Sequence, residues 1–210
     1  MRLILVLVML AGMARAEGER AGVFDYYVLS LSWSPAWCAL GGAAQGSPQC
    51  DAQADFGWVL HGLWPQYQAG GWPERCRTTA RDPSRAETAA MADIMGTTGA
   101  AWHQWQKHGR CSGLTAATYL GAARLAYWAV VRPPAFDRLA QDITLPAALV
   151  EDAFLAANPA MTAGMITITC KSGRIQEARI CLTRKLELRT CGAGVARDCT
   201  LPDALMEAIR

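Results

Sequence analysis

Eight cysteines constrain this 210-residue chain more than any other feature: Cys38, Cys50, Cys76, Cys111, Cys170, Cys181, Cys191 and Cys199. What they mean depends on the compartment, and the N-terminus bears on that. Arg2 is followed by an apolar run from Leu3 to Met13 and then by Ala14-Arg15-Ala16. A positive start, a short apolar stretch and a small-residue cleavage site predict a secretory signal peptide over residues 1–16, cut before Glu17. The run is too short to span a bilayer as a stable helix, and no other stretch reads as transmembrane. The mature chain is therefore expected to be exported, to a periplasm or out of the cell, with no membrane attachment after cleavage. In such a protein an even cysteine count reads as four disulfides. Zinc is the rival reading, but the sequence has no Cys-x-x-Cys pair and no Cys/His cluster with finger spacing. Spacing alone does not choose among the roughly one hundred possible pairings.

Residues 17–210 fit one domain of ordinary size with a real core. Losing Arg2 and Arg15 with the signal leaves 18 basic residues against 18 acidic ones. A broad basic footprint for polyanions is thus absent, and any nucleic-acid binding has to come from a focused site.

Phe24 to Trp33 reads as a buried strand ended by Ser34-Pro35. Residues 39–50 read as a loop that a Cys38–Cys50 bridge could pin. Phe56 to Leu63 is a second strand, ended by Pro65. Arg85 to Met95 has helical composition with Ser84 as N-cap. Thr115 to Val131 is an alanine-rich helix with Leu120, Leu125 and Trp128 at helical intervals, stopped by Pro133-Pro134. Leu145 to Ala157 is a further helix with Pro146 in its first turn. Met165–Cys170 and Ala178–Thr183 read as an antiparallel pair turning at Ser172-Gly173. The cysteine-rich tail reads as loop. This order of elements predicts a single α+β domain.

The chemistry is concentrated in Trp102 to Ser112, which holds two of the three histidines. Wound as a helix ended near Gly109, it puts His103, Gln104, Lys107 and His108 within about 140° of arc. Trp102 and Trp105 fall on the opposite side as core anchors. Two imidazoles and an ammonium on one face suit an anionic ligand and proton transfer near neutral pH. The third histidine, His61, lies in an aromatic-rich segment from Phe56 to Pro65.

His-Gly-Leu-Trp-Pro at 61–65 and His-x-Trp-x-Lys-His-Gly-x-Cys at 103–111 together resemble the paired signatures of the ribonuclease T2 family. The strand Asp25 to Leu29, through Trp33, and the stretch Glu177-Ala-Arg-Ile-Cys181-Leu also resemble that family's first and C-terminal strands. The resemblance implies a central antiparallel sheet packed with helices and stapled by Cys38–Cys50, Cys76–Cys111, Cys170–Cys199 and Cys181–Cys191. It implies an endoribonuclease of low base specificity that cleaves single-stranded RNA by transesterification to 2′,3′-cyclic phosphates and then to 3′-phosphates. No cofactor or metal is expected, DNA should be inert, and the chain should act as a monomer. Carried over by motif, His108 is the general base, His61 the general acid, His103 a phosphate ligand and Lys107 a transition-state stabiliser.

Gln104 departs from the motif, which has glutamate in the transition-state cluster beside the lysine. The substitution predicts retained but altered activity. Ala100 also departs, standing where the family often has an aromatic of its second base site. Trp64 and Trp72 are candidate stacking platforms and Gln66 a base-contacting residue, although Trp64 could equally be a wall of the core. Trp33, Trp37, Trp58, Trp105 and Trp128 read as core or rim residues, and Arg110 as solvent-facing. Two other functions compete. One is a catalytically attenuated RNA-binding relative, marked by Gln104. The other is a metal-binding secreted protein using the three histidines, although His103 and His108 diverge by about 140° on a helix and chelate poorly.

Overall fold

The computed structural model describes residues 19–209. The expected signal peptide, residues 1–16, lies outside them.

Strand β1 (Tyr26–Trp33) is buried along its whole length. Its period of two sends Tyr27, Leu29, Leu31 and Trp33 into the larger core. Tyr26 and Val28 go to a smaller cluster on the other face, with Cys181 and Val195. Helix α1 (Ser34–Trp37) follows, with Pro35 in its first turn. The segment expected as a plain loop up to Cys50 is wound into short π- and 3₁₀-helical turns closed by Cys38–Cys50.

Strand β2 (Trp58–Gln66) pairs antiparallel with β1 at the edge of the sheet. It runs through Pro65, which had been expected to end it. An edge strand tolerates a residue with no N–H on the unpaired side. Ser84 caps α2 (Arg85–Ala89) through a capping box with Glu87. A break at Ala90-Met91 separates α2 from α3 (Ala92–Met95), so the one helix expected over residues 85–95 is two short ones. Helix α4 (Thr98–Lys107) is capped by Thr97, whose hydroxyl accepts from Ala100 N.

Helix α5 (Ala116–Ala129) buries Ala116, Tyr119, Leu120, Ala123, Ala126 and Tyr127. Two of its tyrosines blunt the β2 edge: Tyr119 Oη donates to Leu63 O at 2.9 Å and Tyr127 Oη to Trp58 O at 3.1 Å. Leu125, one of the apolar residues at helical intervals, and Trp128, expected in the core or at its rim, are exposed at 63% and 56%. The packed face is set by Tyr119, Leu120 and Tyr127 with Ala116, Ala123 and Ala126 between them, and Leu125 and Trp128 fall outside it. Arg132 lies 5.0 Å from the Trp128 ring. Trp102, expected beside Trp105 as an anchor, is also exposed, whereas Trp105 is fully buried. Arg110 does not simply face solvent, since it pairs with Asp82 at 2.7 Å.

Strand β3 (Ile143–Leu145) leads into α6 (Ala147–Ala157). Strands β4 (Ile166–Lys171) and β5 (Arg174–Leu182) form the expected hairpin. Ser172 and Gly173 both have positive φ, 51° and 78°, as a tight hairpin turn requires. In the tail, read as loop, β6 (Ala204–Met206) pairs with β3. The sheet order is β2-β1-β5-β6-β3, with β4 also paired to β5. It is antiparallel except for one parallel link between Arg174 and Leu205. Helices pack on it as the α+β reading requires.

All eight cysteines are bridged, in the pairing that the family resemblance implies. Cys76–Cys111 closes a loop of 35 residues. A cross-link of that span restricts the unfolded chain by about 4 kcal/mol in the chain-entropy account.

Candidate active site

A bulge in β2 builds one wall of the site. Leu31 opposes Leu60 and Ser30 opposes Gly62, so His61 is the extra residue between them. A strand that alternates strictly would put His61 on the same face as Leu63 and opposite Trp64. The inserted residue resets the phase. Leu60 and Leu63 both enter the core, while His61, Trp64 and Gln66 line one cavity of about 220 Å³. Gly62 is required there, because a Cβ would collide with the Gln104 amide and the Trp64 indole.

Helix α4 supplies the facing wall. Ala101 and Trp105 are buried in the main core, which fixes the helix about its axis. His103, Gln104, Lys107 and, just past the helix end, His108 then line the same cavity. The Cys76–Cys111 bridge draws the 74–77 segment against this end of α4. Arg75 N donates to the Lys107 carbonyl at 2.8 Å, and the Glu74 carboxylate lies 3.8 Å from Lys107 Nζ.

Trp64 joins the two walls. Its Nε1 donates to Gln104 Oε1 at 2.7 Å. His108 stacks on it with ring centroids 5.2 Å apart, and His61 meets it edge-on at 5.0 Å. The indole is half-buried with its contacts engaged by protein groups, so it serves as an internal wall more than as an open platform. Trp72 is 51% exposed on the cavity rim and has a free surface to offer. Gln66 is buried and donates from Nε2 to Pro65 O.

The histidines differ in surroundings. Burial, the charge of Lys107 and the other two histidines push His108 down to about 3, so its ring is neutral over the ordinary pH range. Its Nδ1 has no hydrogen-bond partner. His103 is lowered too, by burial first and then by Lys107, His61 and Arg75. His61 Nδ1 sits 2.5 Å from Glu177 Oε1, and Arg179 donates to Glu177 Oε2 from Nε and Nη2. Burial would raise the Glu177 carboxyl, but His61 and Arg179 hold it at about 2. Glu177 and Arg179 were read only as part of a strand. The available signal was two charged residues alternating with Ala178 and Ile180, which puts both on the face away from the core.

This arrangement offers a neutral imidazole, a second imidazole backed by a carboxylate, and a lysine, all around one cavity. Such a set fits a proton taken at one end of a phosphodiester and delivered at the other. Among the described residues no three His, Cys, Asp or Glu side chains are grouped to hold a metal ion.

The model of the Ribonuclease T2 family matches residues 24–191. The chain belongs to the ribonuclease T2 family. A ribonuclease of Aeromonas hydrophila is 46% identical over 101 residues, covering 48% of this chain and 43% of that protein. Ribonuclease 3 of Arabidopsis thaliana is 31% identical over 104 residues, covering 42% of this chain and 44% of that one. The matched stretch thus spans less than half the length of either relative. Among solved structures, trichomaglin, described as an S-like ribonuclease, superposes with a TM-score of 0.69 at 19% identity. That match covers 89% of this chain and 99% of trichomaglin, and it shows the shared fold.

Proposed function

We propose that this chain is a T2-type endoribonuclease that cuts single-stranded RNA without a metal or other cofactor. The observation that carries the reading is the meeting of His61, His103, Lys107 and His108 in one cavity. Neutral His108 takes the proton of the ribose 2′-OH as its oxygen attacks phosphorus. His61 gives a proton to the departing 5′-oxygen as the P–O5′ bond breaks, which leaves a 2′,3′-cyclic phosphate. Lys107 and His103 balance the charge that builds on the phosphorane oxygens. Water then opens the cyclic ester to a 3′-phosphate, with the two histidines exchanging roles. Gln104 holds Trp64 in place between the histidines, and no observation favours an attenuated RNA binder.

Trp72 is the exposed aromatic on which a base stacks. Stacking is worth about 1–3 kcal/mol per base and tolerates any base. Gln66 lines the same cavity and is the polar contact for a base edge, although its Nε2 already donates to Pro65 O. Four disulfides fit an oxidising compartment, a periplasm or the cell exterior, reached by way of the N-terminal signal. The mature domain then spans residues 17–210 and works as a monomer.

The test is cleavage of poly(A) by the oxidised protein across about pH 4 to 8 with EDTA present. A bell-shaped profile on the acidic side of neutral is expected, with cyclic phosphates appearing before 3′-phosphates and DNA untouched. RNA that binds and stays whole at every pH refutes the reading.

A further inference from the structure

Glu177 stands out among the groups that the mechanism above leaves unused. It is a carboxylate only 2% exposed, buried in the sheet opposite Ser32 of β1 and Thr169 of β4. An isolated charge there costs several kcal/mol, so its partners define it. Arg179 directs both of its bonds, at 2.9 and 2.6 Å, to the single oxygen Oε2. A guanidinium pairing only for stability would be expected to fork across both oxygens. Here Oε1 is left for His61 Nδ1 alone.

We propose that Glu177 is the positioning residue for the acid of the reaction, holding His61 by Nδ1 so that Nε2 faces the cavity. This rests on the ribonuclease reading above. An ionised carboxylate can only accept, so its partner nitrogen carries a proton and the ring has one tautomer and one orientation. Nε2–H is the bond that breaks when the 5′-oxygen leaves. Its proton joins that oxygen, and the electron pair of the P–O5′ bond becomes the lone pair that receives it. Glu177 keeps its negative charge throughout and balances the imidazolium before transfer. Arg179 in turn orients Glu177 and keeps it ionised. With Gln104 on α4 where the family motif has glutamate, the carboxylate touching a site histidine comes from β5.

The other groups facing His61 are cations or neutral rings. His103, Lys107 and His108 line its cavity from α4, Trp64 meets it edge-on within β2, and Arg179 stands behind Glu177 on β5. Removing Glu177 therefore leaves the proton on His61 with no opposite charge among these groups.

The leaving group makes the experiment selective. ApA departs as a 5′-alkoxide that needs a proton, whereas adenosine 3′-(4-nitrophenyl phosphate) departs as a stable aryl oxide that does not. Glu177→Gln is expected to lower kcat on ApA by on the order of 10- to 100-fold. On the aryl ester it should lower kcat by less than about threefold, with KM unchanged on both. The alkaline limb of the ApA profile should also move to lower pH. Glu177→Asp, which keeps a charge beside Arg179 on a shorter arm, should fall between the parent and Glu177→Gln. It carries the same two-substrate comparison if a thermal melt shows that Glu177→Gln has lost its fold. Equal losses on the two substrates would show a structural role, and no loss on either would show no role. Both outcomes overturn the proposal. A parent protein that turns over neither substrate sinks the ribonuclease reading itself, a result distinct from both.

Discussion

His61 and His108 face the same cavity from opposite walls, and their surroundings differ in kind. His108 is 5% exposed, its Nδ1 lacks a partner, and burial, then the charge of Lys107 and the other two histidines, lower it to about 3. His61 has a side chain 43% exposed and keeps a buried carboxylate 2.5 Å from Nδ1. Nothing beside His108 balances a proton, whereas the negative charge behind His61 does. The same side chain is thus prepared for two jobs, accepting at one end of the phosphodiester and donating at the other. Environment assigns acid and base here more than residue type does.

The sharpest way to break that contrast is to remove each ring in turn. His108→Ala should lower kcat/KM on the order of 10³-fold or more for every substrate, because attack of the 2′-oxygen is needed whatever leaves. His61→Ala should cost as much on ApA but far less on the aryl ester. Steady-state rates on both substrates check this. A loss that depends on the leaving group in His108→Ala but not in His61→Ala would mean that the acid and base are assigned the wrong way round.

Stability against pH gives a second contrast, because both sites weaken the fold in acid for different reasons. His108 has a folded value far below its ordinary 6.5, so the unfolded chain binds the extra proton first. Its contribution is full above about 6.5 and is lost as pH falls toward 3. Glu177 drops from 4.5 to about 2, so its contribution is full above 4.5 and is lost as pH falls through 2. Denaturant melts should therefore show stability declining by a few kcal/mol in two overlapping stages, His108 first. His108→Gln should flatten the decline between about pH 6.5 and 3 and leave the lower stage in place. A slope unchanged in that window would place a different group behind it.

The two walls were also unequally legible. The histidine, lysine and glutamine positions on α4 could be projected from a helical period, and the burial of Trp105 realises that projection. Trp102 escaped it, since angular position alone does not say how far the core extends around a helix. On β2 the strand was legible but not which side chains share the site, because a bulge at His61 is one residue that no period of two contains. Pro65 read as a stop signal only because nothing in the sequence marked β2 as an edge. Glu177 was legible as a strand residue and no more. Its partner is 116 positions away and meets it only once β1 lies between their strands. Strands β3 and β6, three residues each, are too short to show a period and form because they pair with each other.

Gln104 tests whether the low value of His108 is a choice of the site. Gln104→Glu keeps an acceptor for Trp64 Nε1 and adds a negative charge one helical turn before His108. An opposite charge favours the protonated ring, so the acidic limb of the ApA profile should move to higher pH by about one unit. The alkaline limb, which depends on the His61 side, should move less. Initial rates across the acid range decide it, and a limb that stays in place would show that burial alone controls His108.

The smallest effect expected is at Trp64, and it bears on how the two walls communicate. Trp64→Phe retains a ring to stack on His108 and to meet His61, but it has no Nε1–H for Gln104. One buried hydrogen bond is lost and the Gln104 carbonyl is left without its donor, a cost of about 1–2 kcal/mol. That cost should appear mainly as lower stability, with a fall in kcat of only a few-fold, because neither histidine loses its own ring contact. Moreover, the fall should be equal for ApA and the aryl ester, since the link runs through α4 and not through the His61–Glu177 pair. A loss confined to ApA would mean that Trp64, and not Glu177, aims the acid, and it would move the positioning role from β5 to β2.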